Sequence, residues 1–267
     1  MDAETCEASL VDREGRLERA EAAFFTTSRS ARTARDEALL LRGVTLKGES
    51  ELAVTSWGEG PAVLLVHGWN SRGTHWGAHI DALNEAGFRA VAVDAPGHGE
   101  SPGERCHVVQ FGRVLVEVGR QIGPLAGVVA HSFGAGAVVL ALDRGLVADR
   151  VALLSGPASL VAVVERWGRA HELSESEIPA FVERVARAVN EPIADLDLTR
   201  IASTLRLPAL IVHDRDDDEV PVGDARVVAA AWPGARLLVT ERFGHRRILI
   251  AREVVRAVVA FLNKQEA

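Results

Sequence analysis

Cysteine is scarce in this chain, and so are the features that would mark a membrane span, a secretory leader or a polyanion-binding surface. Two cysteines, Cys6 and Cys106, are too few and too far apart for a disulfide framework or a zinc site, so both are read as reduced thiols. No apolar run approaches the length of a membrane span, and the opening Met1-Asp2-Ala3-Glu4-Thr5-Cys6-Glu7 is acidic where a secretory signal is basic. A cytoplasmic location is therefore expected. The net charge of −7 is spread along the sequence without a basic stripe, which argues against nucleic acid as a partner.

Glycine patterns that bind nucleotides are also missing. Gly134-Ala135-Gly136 is followed by Val139 where a dinucleotide fingerprint has a third small residue, and no Gly-Lys-Ser/Thr closes a phosphate loop. Asp214, Asp216 and Asp218 have the alternation of a calcium loop, yet Glu219 replaces its turn glycine and Ala225 its bidentate glutamate. No cofactor and no metal is expected, and a small molecule is the expected partner.

What is present is enough apolar sequence, 48% of 267 residues, to bury one sizeable core. Residues 1–43 have the helix-forming, charge-rich composition of a helical arm, with Arg29, Arg32 and Arg35 in its basic stretch. The arm is read as a solvated helix lying on the domain, with anion binding by the three arginines as the alternative.

From residue 44 short apolar runs alternate with helical stretches, which predicts a mostly parallel, doubly wound α/β sheet. The runs 62–66, 90–93, 127–130, 151–154, 209–212 and 237–239 are apolar throughout, as strands covered on both faces are. Helices are expected near 74–86, 107–121, 133–145, 223–232 and 248–262. About 157–207 is too long for a simple crossover. Leu160, Val163, Val164 and Trp167, then Ile178, Phe181, Val182, Val185 and Val189, fall at helical spacing there, so this insertion is expected to be a small helical cap. Trp167 and Phe181 are candidate walls of a substrate pocket.

Open α/β sheets bind ligands at the carboxyl ends of their strands, so the residues after each run are compared. Ala130-His131-Ser132-Phe133-Gly134 places a serine between small neighbours, after an apolar strand and before an apolar helix. This is the setting of a nucleophile elbow, with a buried N-cap serine as the bland alternative. A serine hydroxyl needs an imidazole to take its proton, and His245 follows the last strand. The acid is sought after 209–212, where Asp217 stands three residues before Val220-Pro221. Asp214, Asp216 and Asp218 are read as solvated. Attack on a carbonyl also requires two donors for the developing oxyanion, and the backbone N–H groups of Trp69 and Phe133 are the candidates. The Asp94–Ser101 segment is read as a glycine- and proline-bent scaffold loop.

In this order, His67-Gly68-Trp69, Asp94-x-Pro96-Gly97-His98-Gly99-x-Ser101, Ser132, Asp217-x-x-Val220-Pro221 and Gly244-His245 resemble the α/β-hydrolase fold superfamily, in its serine-nucleophile branch. The resemblance runs from about residue 44 to the C-terminus. It implies a serine hydrolase with a Ser132-His245-Asp217 triad, cleaving a carboxylic ester through an acyl-enzyme. Thioesters, lactones, amides and carbon–carbon bonds are alternatives on the same triad, and a non-catalytic ligand-binding member is the alternative from another class.

Overall fold

A computed structural model describes residues 3–47, 51–193 and 196–264, with side chains from Asp12 onward, so Cys6 lies outside the described side chains. The chain divides into two compact units, residues 27–158 with 198–267, and residues 1–26 with 159–197.

The larger unit holds one eight-stranded sheet: β1 (Val44–Leu46), β2 (Val54–Trp57), β3 (Ala62–Val66), β4 (Arg89–Val93), β5 (Leu125–His131), β6 (Val151–Leu154), β7 (Ala209–Asp214) and β8 (Arg236–Thr240). The order across it is β1-β2-β4-β3-β5-β6-β7-β8. From β4 to β8 all neighbours are parallel, whereas β1 pairs with β2 and β2 with β4 antiparallel. Every side chain of β3, β6 and β7 is buried, because helices cover both faces of a parallel sheet. The six apolar runs read from the sequence are β3 to β8.

The first two strands carry no such run. Val44 is 64% exposed, and β1 and β2 mix threonine, serine and tryptophan with their aliphatics. An antiparallel edge that faces water on one side alternates rather than running apolar.

The central helix Phe133–Asp143 is buried almost all round, which is why its sequence is apolar on every face. Helix Val108–Ile122 packs against it through Gly112, where a Cβ would lie 3.1 Å from the carbonyl oxygen of Ala137. On the other face Trp57, Leu65, Trp76, Ile80, Leu83, Val254, Val258 and Phe261 form one cluster. Each fully buried aliphatic there contributes about 1.5–3 kcal/mol relative to exposure. Residues 27–43 belong to this unit. Helix Ala34–Arg42 starts with a capping box in which Thr33 Oγ1 accepts from Asp36 N–H at 3.2 Å and Asp36 accepts from Thr33 N–H at 2.8 Å.

In the smaller unit, helix Ala3–Phe25 groups with helices Leu160–Ala170 and Ile178–Val189. The stretch read as one arm, 1–43, is thus divided between the units. Phe24 meets Trp167 edge-on at 5.2 Å and Phe181 at 5.8 Å. Around this aromatic centre the Arg184 guanidinium donates to Glu21 at 2.8 Å and pairs with Glu14, and Arg16 pairs with Glu177 at 2.8 Å.

Among the described residues no helix is long and apolar enough to cross a membrane, and no group of three or more His, Cys, Asp or Glu side chains could hold a metal ion. Cys106 is buried, and that burial pushes its thiol up to about 12.

Candidate active site

Strand β5 ends at His131, and the chain must turn sharply to enter the helix that starts at Phe133. Ser132 takes the turn with φ 52° and ψ −119°, outside the regions L-residues ordinarily occupy. The surroundings hold it there. Its N–H donates to the Leu154 carbonyl at 2.9 Å, and its own carbonyl accepts from Ala135 N–H at 2.9 Å. Close neighbours must be small: a Cβ on Gly134 would lie 2.4 Å from the His67 carbonyl oxygen, and one on Gly68 3.2 Å from Ser132 Cβ. Backbone strain of this kind persists only where packing over-determines it.

The structure brings Ser132, His245 and Asp217 together. His245 sits in the helical turn Gly244–Arg247 after β8 and is 5% exposed. Its Nε2 lies 2.9 Å from Ser132 Oγ and its Nδ1 2.8 Å from Asp217 Oδ2. The Asp217 side chain has no exposure at all. Burial by itself would raise its pKa, but hydrogen bonds from His213, His245 and the Val220 N–H hold the carboxyl far below the usual carboxylate range. An ionised Asp217 accepts only, so His245 donates from Nδ1–H, and its Nε2 is left to accept the Ser132 hydroxyl proton.

The oxyanion candidates follow the carboxyl ends of the adjacent parallel strands β3 and β5. Among the described residues, neither the Trp69 N–H nor the Phe133 N–H has a hydrogen-bond acceptor. The Trp69 and Phe133 rings meet edge-on at 5.0 Å, which ties the β3 turn to the start of the central helix. His67 steadies that turn. Its Nδ1–H donates to the Gly68 carbonyl at 2.7 Å while Nε2 accepts from Ala95 N–H at 3.0 Å, and burial pushes its pKa down to about 4. Asp94 accepts from Gly73 N–H at 2.6 Å and Glu100 N–H at 2.8 Å, joining the scaffold loop to the β3 turn.

One aspartate departs from its sequence reading. Asp214 was expected to be solvated, but it is fully buried and accepts four hydrogen bonds, from Asp216 N–H, Gly244 N–H, Thr240 Oγ1–H and Phe243 N–H. It closes β7 instead of opening the loop, so its side chain is aimed between the loops that carry Asp217 and His245. Asp216 and Asp218 are exposed. Two histidines beside Ser132, His245 and Asp217 also escaped sequence reasoning. His131 Nε2–H donates to the His245 carbonyl at 2.8 Å, and His213 Nε2 lies 3.2 Å from Asp217 Oδ2 and 2.9 Å from the Val220 carbonyl. Their one signal was position, since each is polar at the carboxyl end of an apolar strand.

A cavity of about 410 Å³ opens on this constellation, with Ser132, His245, Trp69, Arg35, Glu219 and Leu249 in its walls. Glu219 pairs with Arg246 at 2.8 Å and places its other oxygen 3.8 Å from His245 Nε2. A wider depression of about 960 Å³ beside Arg29 and Arg32 contains none of the three residues. Those arginines are engaged: Arg32 Nε donates to Glu100 at 2.8 Å and Arg29 to the Gly103 carbonyl at 2.8 Å. Trp167 and Phe181 belong to the smaller unit, where their rings stack at 5.5 Å.

Residues 63–259 match the Alpha/beta hydrolase family, a span that runs from the second residue of β3 past β8 and includes all three converging side chains. The chain belongs to the alpha/beta hydrolase family. Among this hydrolase's relatives, the non-heme chloroperoxidase CPO-A1 of Kitasatospora aureofaciens is 24% identical over 275 residues, covering 82% of this chain and 98% of that protein. A pimeloyl-(acyl-carrier protein) methyl ester esterase of Nitrosomonas europaea is 23% identical over 248 residues, covering 75% and 94%. The fold is shared with the crystallised monoacylglycerol lipase of Paleococcus ferrophilus at a TM-score of 0.65, with 21% identity, 81% of this chain and 100% of that one.

Proposed function

We propose that this alpha/beta hydrolase is a serine hydrolase that cleaves a carboxylic ester through an acyl-enzyme, with Ser132 as nucleophile, His245 as general base and Asp217 as the acid that orients it. The observation that carries this reading is the unbroken chain Ser132 Oγ, His245 Nε2, His245 Nδ1, Asp217 Oδ2, at 2.9 Å and 2.8 Å. In the first step Ser132 Oγ attacks the ester carbonyl carbon while His245 Nε2 takes its proton, and Asp217 stabilises the imidazolium formed. The carbonyl oxygen becomes an oxyanion, which the unused N–H groups of Trp69 and Phe133 receive. Donors of this kind each contribute roughly 10²–10³ in rate. The imidazolium then protonates the departing alcohol, and a water activated by the same imidazole hydrolyses the acyl-enzyme.

The dimensions of the cavity support a small acyl group. About 410 Å³ lies toward the small end of ligand cavities, and its wall combines apolar Trp69, Leu249 and Ile250 with charged Arg35, Glu219 and Arg246. The methyl ester esterase among the relatives supports ester chemistry over the thioester and lactone alternatives.

The test is a panel of p-nitrophenyl esters of increasing chain length, run beside thioesters and lactones and with fluorophosphonate labelling, on the wild type and on Ser132→Ala. The expected result is fastest turnover of the short esters by the wild type, with loss of both turnover, by about 10⁴–10⁶, and labelling in Ser132→Ala. Undiminished turnover in that variant would overturn the assignment.

A further inference from the structure

We propose that Asp214 and His131, neither of them in the triad, are positioning residues that clamp the main chain on either side of the His245 ring, so that its Nε2 meets Ser132. The inference rests on the triad reading above and adds the parts that hold the base in place.

The His245 loop leaves β8 at Thr240 and must present one imidazole to two partners at hydrogen-bond distance. On the N-terminal side, Asp214 accepts from Phe243 N–H at 3.2 Å and Gly244 N–H at 2.9 Å, the two amides just before His245, and from Thr240 Oγ1–H at 2.7 Å. Its fourth bond, from Asp216 N–H at 3.1 Å, lies in the loop that carries Asp217. One buried carboxylate thus joins the loop of the acid to the loop of the base. A buried carboxylate without partners would cost several kcal/mol, so the four donors are what let it stay ionised there. Burial pulls its pKa upward, but the donors, Gly244 N–H foremost, outweigh it and leave the group below the usual carboxylate value.

On the C-terminal side, the His245 carbonyl accepts from His131 Nε2–H at 2.8 Å, and the two rings lie 4.7 Å apart. His131 immediately precedes Ser132, so this bond runs from the nucleophile's own turn to the backbone of its base. Burial first, and then the neighbouring His245, push the His131 pKa down to about 3, so the ring is neutral with its proton on Nε2. Its Nδ1 is buried without a partner. Leucine at this position would remove that unsatisfied nitrogen but would also take the donor from the His245 carbonyl, so the two effects on stability oppose each other.

That contrast supplies the test, because the clamp predicts that stability and activity separate. In His131→Leu the thermal midpoint is expected to stay close to that of the wild type, since one unsatisfied group replaces another. Its kcat for p-nitrophenyl acetate and its fluorophosphonate labelling rate are expected to fall by about 10- to 100-fold with KM nearly unchanged, the scale of loss when a reacting group shifts by about an ångström. His131→Gln, which keeps an N–H donor, should recover part of the loss. In Asp214→Asn the amide NH₂ would face donors, so the folded variant should lose at least about 10-fold in kcat. Should His131→Leu label and turn over at the wild-type rate, the clamp is wrong while an inactive Ser132→Ala would still support the triad. Should Ser132→Ala itself remain active, both readings fall.

Discussion

Oδ2 of Asp217 lies within reach of two imidazoles at once, His245 Nδ1 at 2.8 Å and His213 Nε2 at 3.2 Å, while Oδ1 accepts from the Val220 N–H at 2.8 Å and the Glu219 N–H at 3.0 Å. Every lone-pair direction of this carboxylate is engaged. Asp217→Asn is therefore expected to cut turnover of one activated ester by roughly 10⁴-fold, because the amide can place the wrong tautomer on His245. Asp218→Asn, on an exposed side chain, should change stability by no more than about 0.5 kcal/mol and leave turnover near normal, whereas Asp216→Asn weakens the bond that its carboxylate accepts from Arg242 N–H at 2.7 Å and should cost somewhat more stability. The measurement is steady-state turnover of the three variants, each checked by circular dichroism. A normal Asp217→Asn enzyme would refute the register of the loop.

Gly134 should tolerate no side chain. A Cβ there would come within 2.4 Å of the His67 carbonyl oxygen and 2.7 Å of that of Val66, both of them backbone atoms that cannot rotate away. Gly134→Ala is expected to push the central helix off β3, destabilising the protein by roughly 1–3 kcal/mol or more and abolishing labelling at Ser132. Urea unfolding reads the first effect and fluorophosphonate the second. Wild-type labelling would show that the elbow has more room than its geometry indicates.

Acid should weaken this fold before most of its carboxylates titrate. Burial pushes His67, His79 and His98 from the ordinary 6.5 down to about 4, and His131 to about 3. Between those values the unfolded chain binds protons that the folded chain refuses, so stability falls as pH drops from about 6.5 toward 4. The four rings act in the same direction, so their effects on stability add. The check is the urea midpoint at about pH 7, 5.5 and 4.5, where a steady decline is expected and a flat profile would contradict it.

Phe181 is completely buried beneath Phe24 and Trp167. Phe181→Ala should cost about 3–5 kcal/mol, since removing a buried ring loses both its transfer energy and the contacts lining the hole. Differential scanning calorimetry measures it. A cost below about 1 kcal/mol would mean that the helices of the smaller unit collapse readily around the space.

How much of this was legible beforehand depends on whether the physics was local. Ser132 could be found because the elbow demands small neighbours within two residues, and Gly134 meets that demand in the sequence itself. β3 to β8 could be found because strands covered on both faces are apolar at every position. β1 and β2 could not, since β1 is a short, largely exposed edge and β2, though mostly buried, carries Thr55 and Ser56 among its apolar residues. The division of residues 1–43 was equally hidden. Nothing in the composition of Ala3–Phe25 says that its Phe24 will meet Trp167 and Phe181, more than 140 positions away.

Asp214 shows the boundary most clearly. In the string Asp214-Arg215-Asp216-Asp217-Asp218 the carboxylates look alike, and only the DxxVP pattern singled out Asp217. The sequence by itself determined the strand runs, the elbow and the order of serine, acid and histidine, because each rests on residues adjacent in the chain. Tertiary structure alone decided that Asp214 is buried against Phe243 and Gly244, and that His131 donates to the His245 carbonyl. Those contacts join segments 29 to 114 residues apart, and a carboxylate or imidazole acquires its role from donors and burial that arrive only when the loops at the ends of β5, β7 and β8 converge.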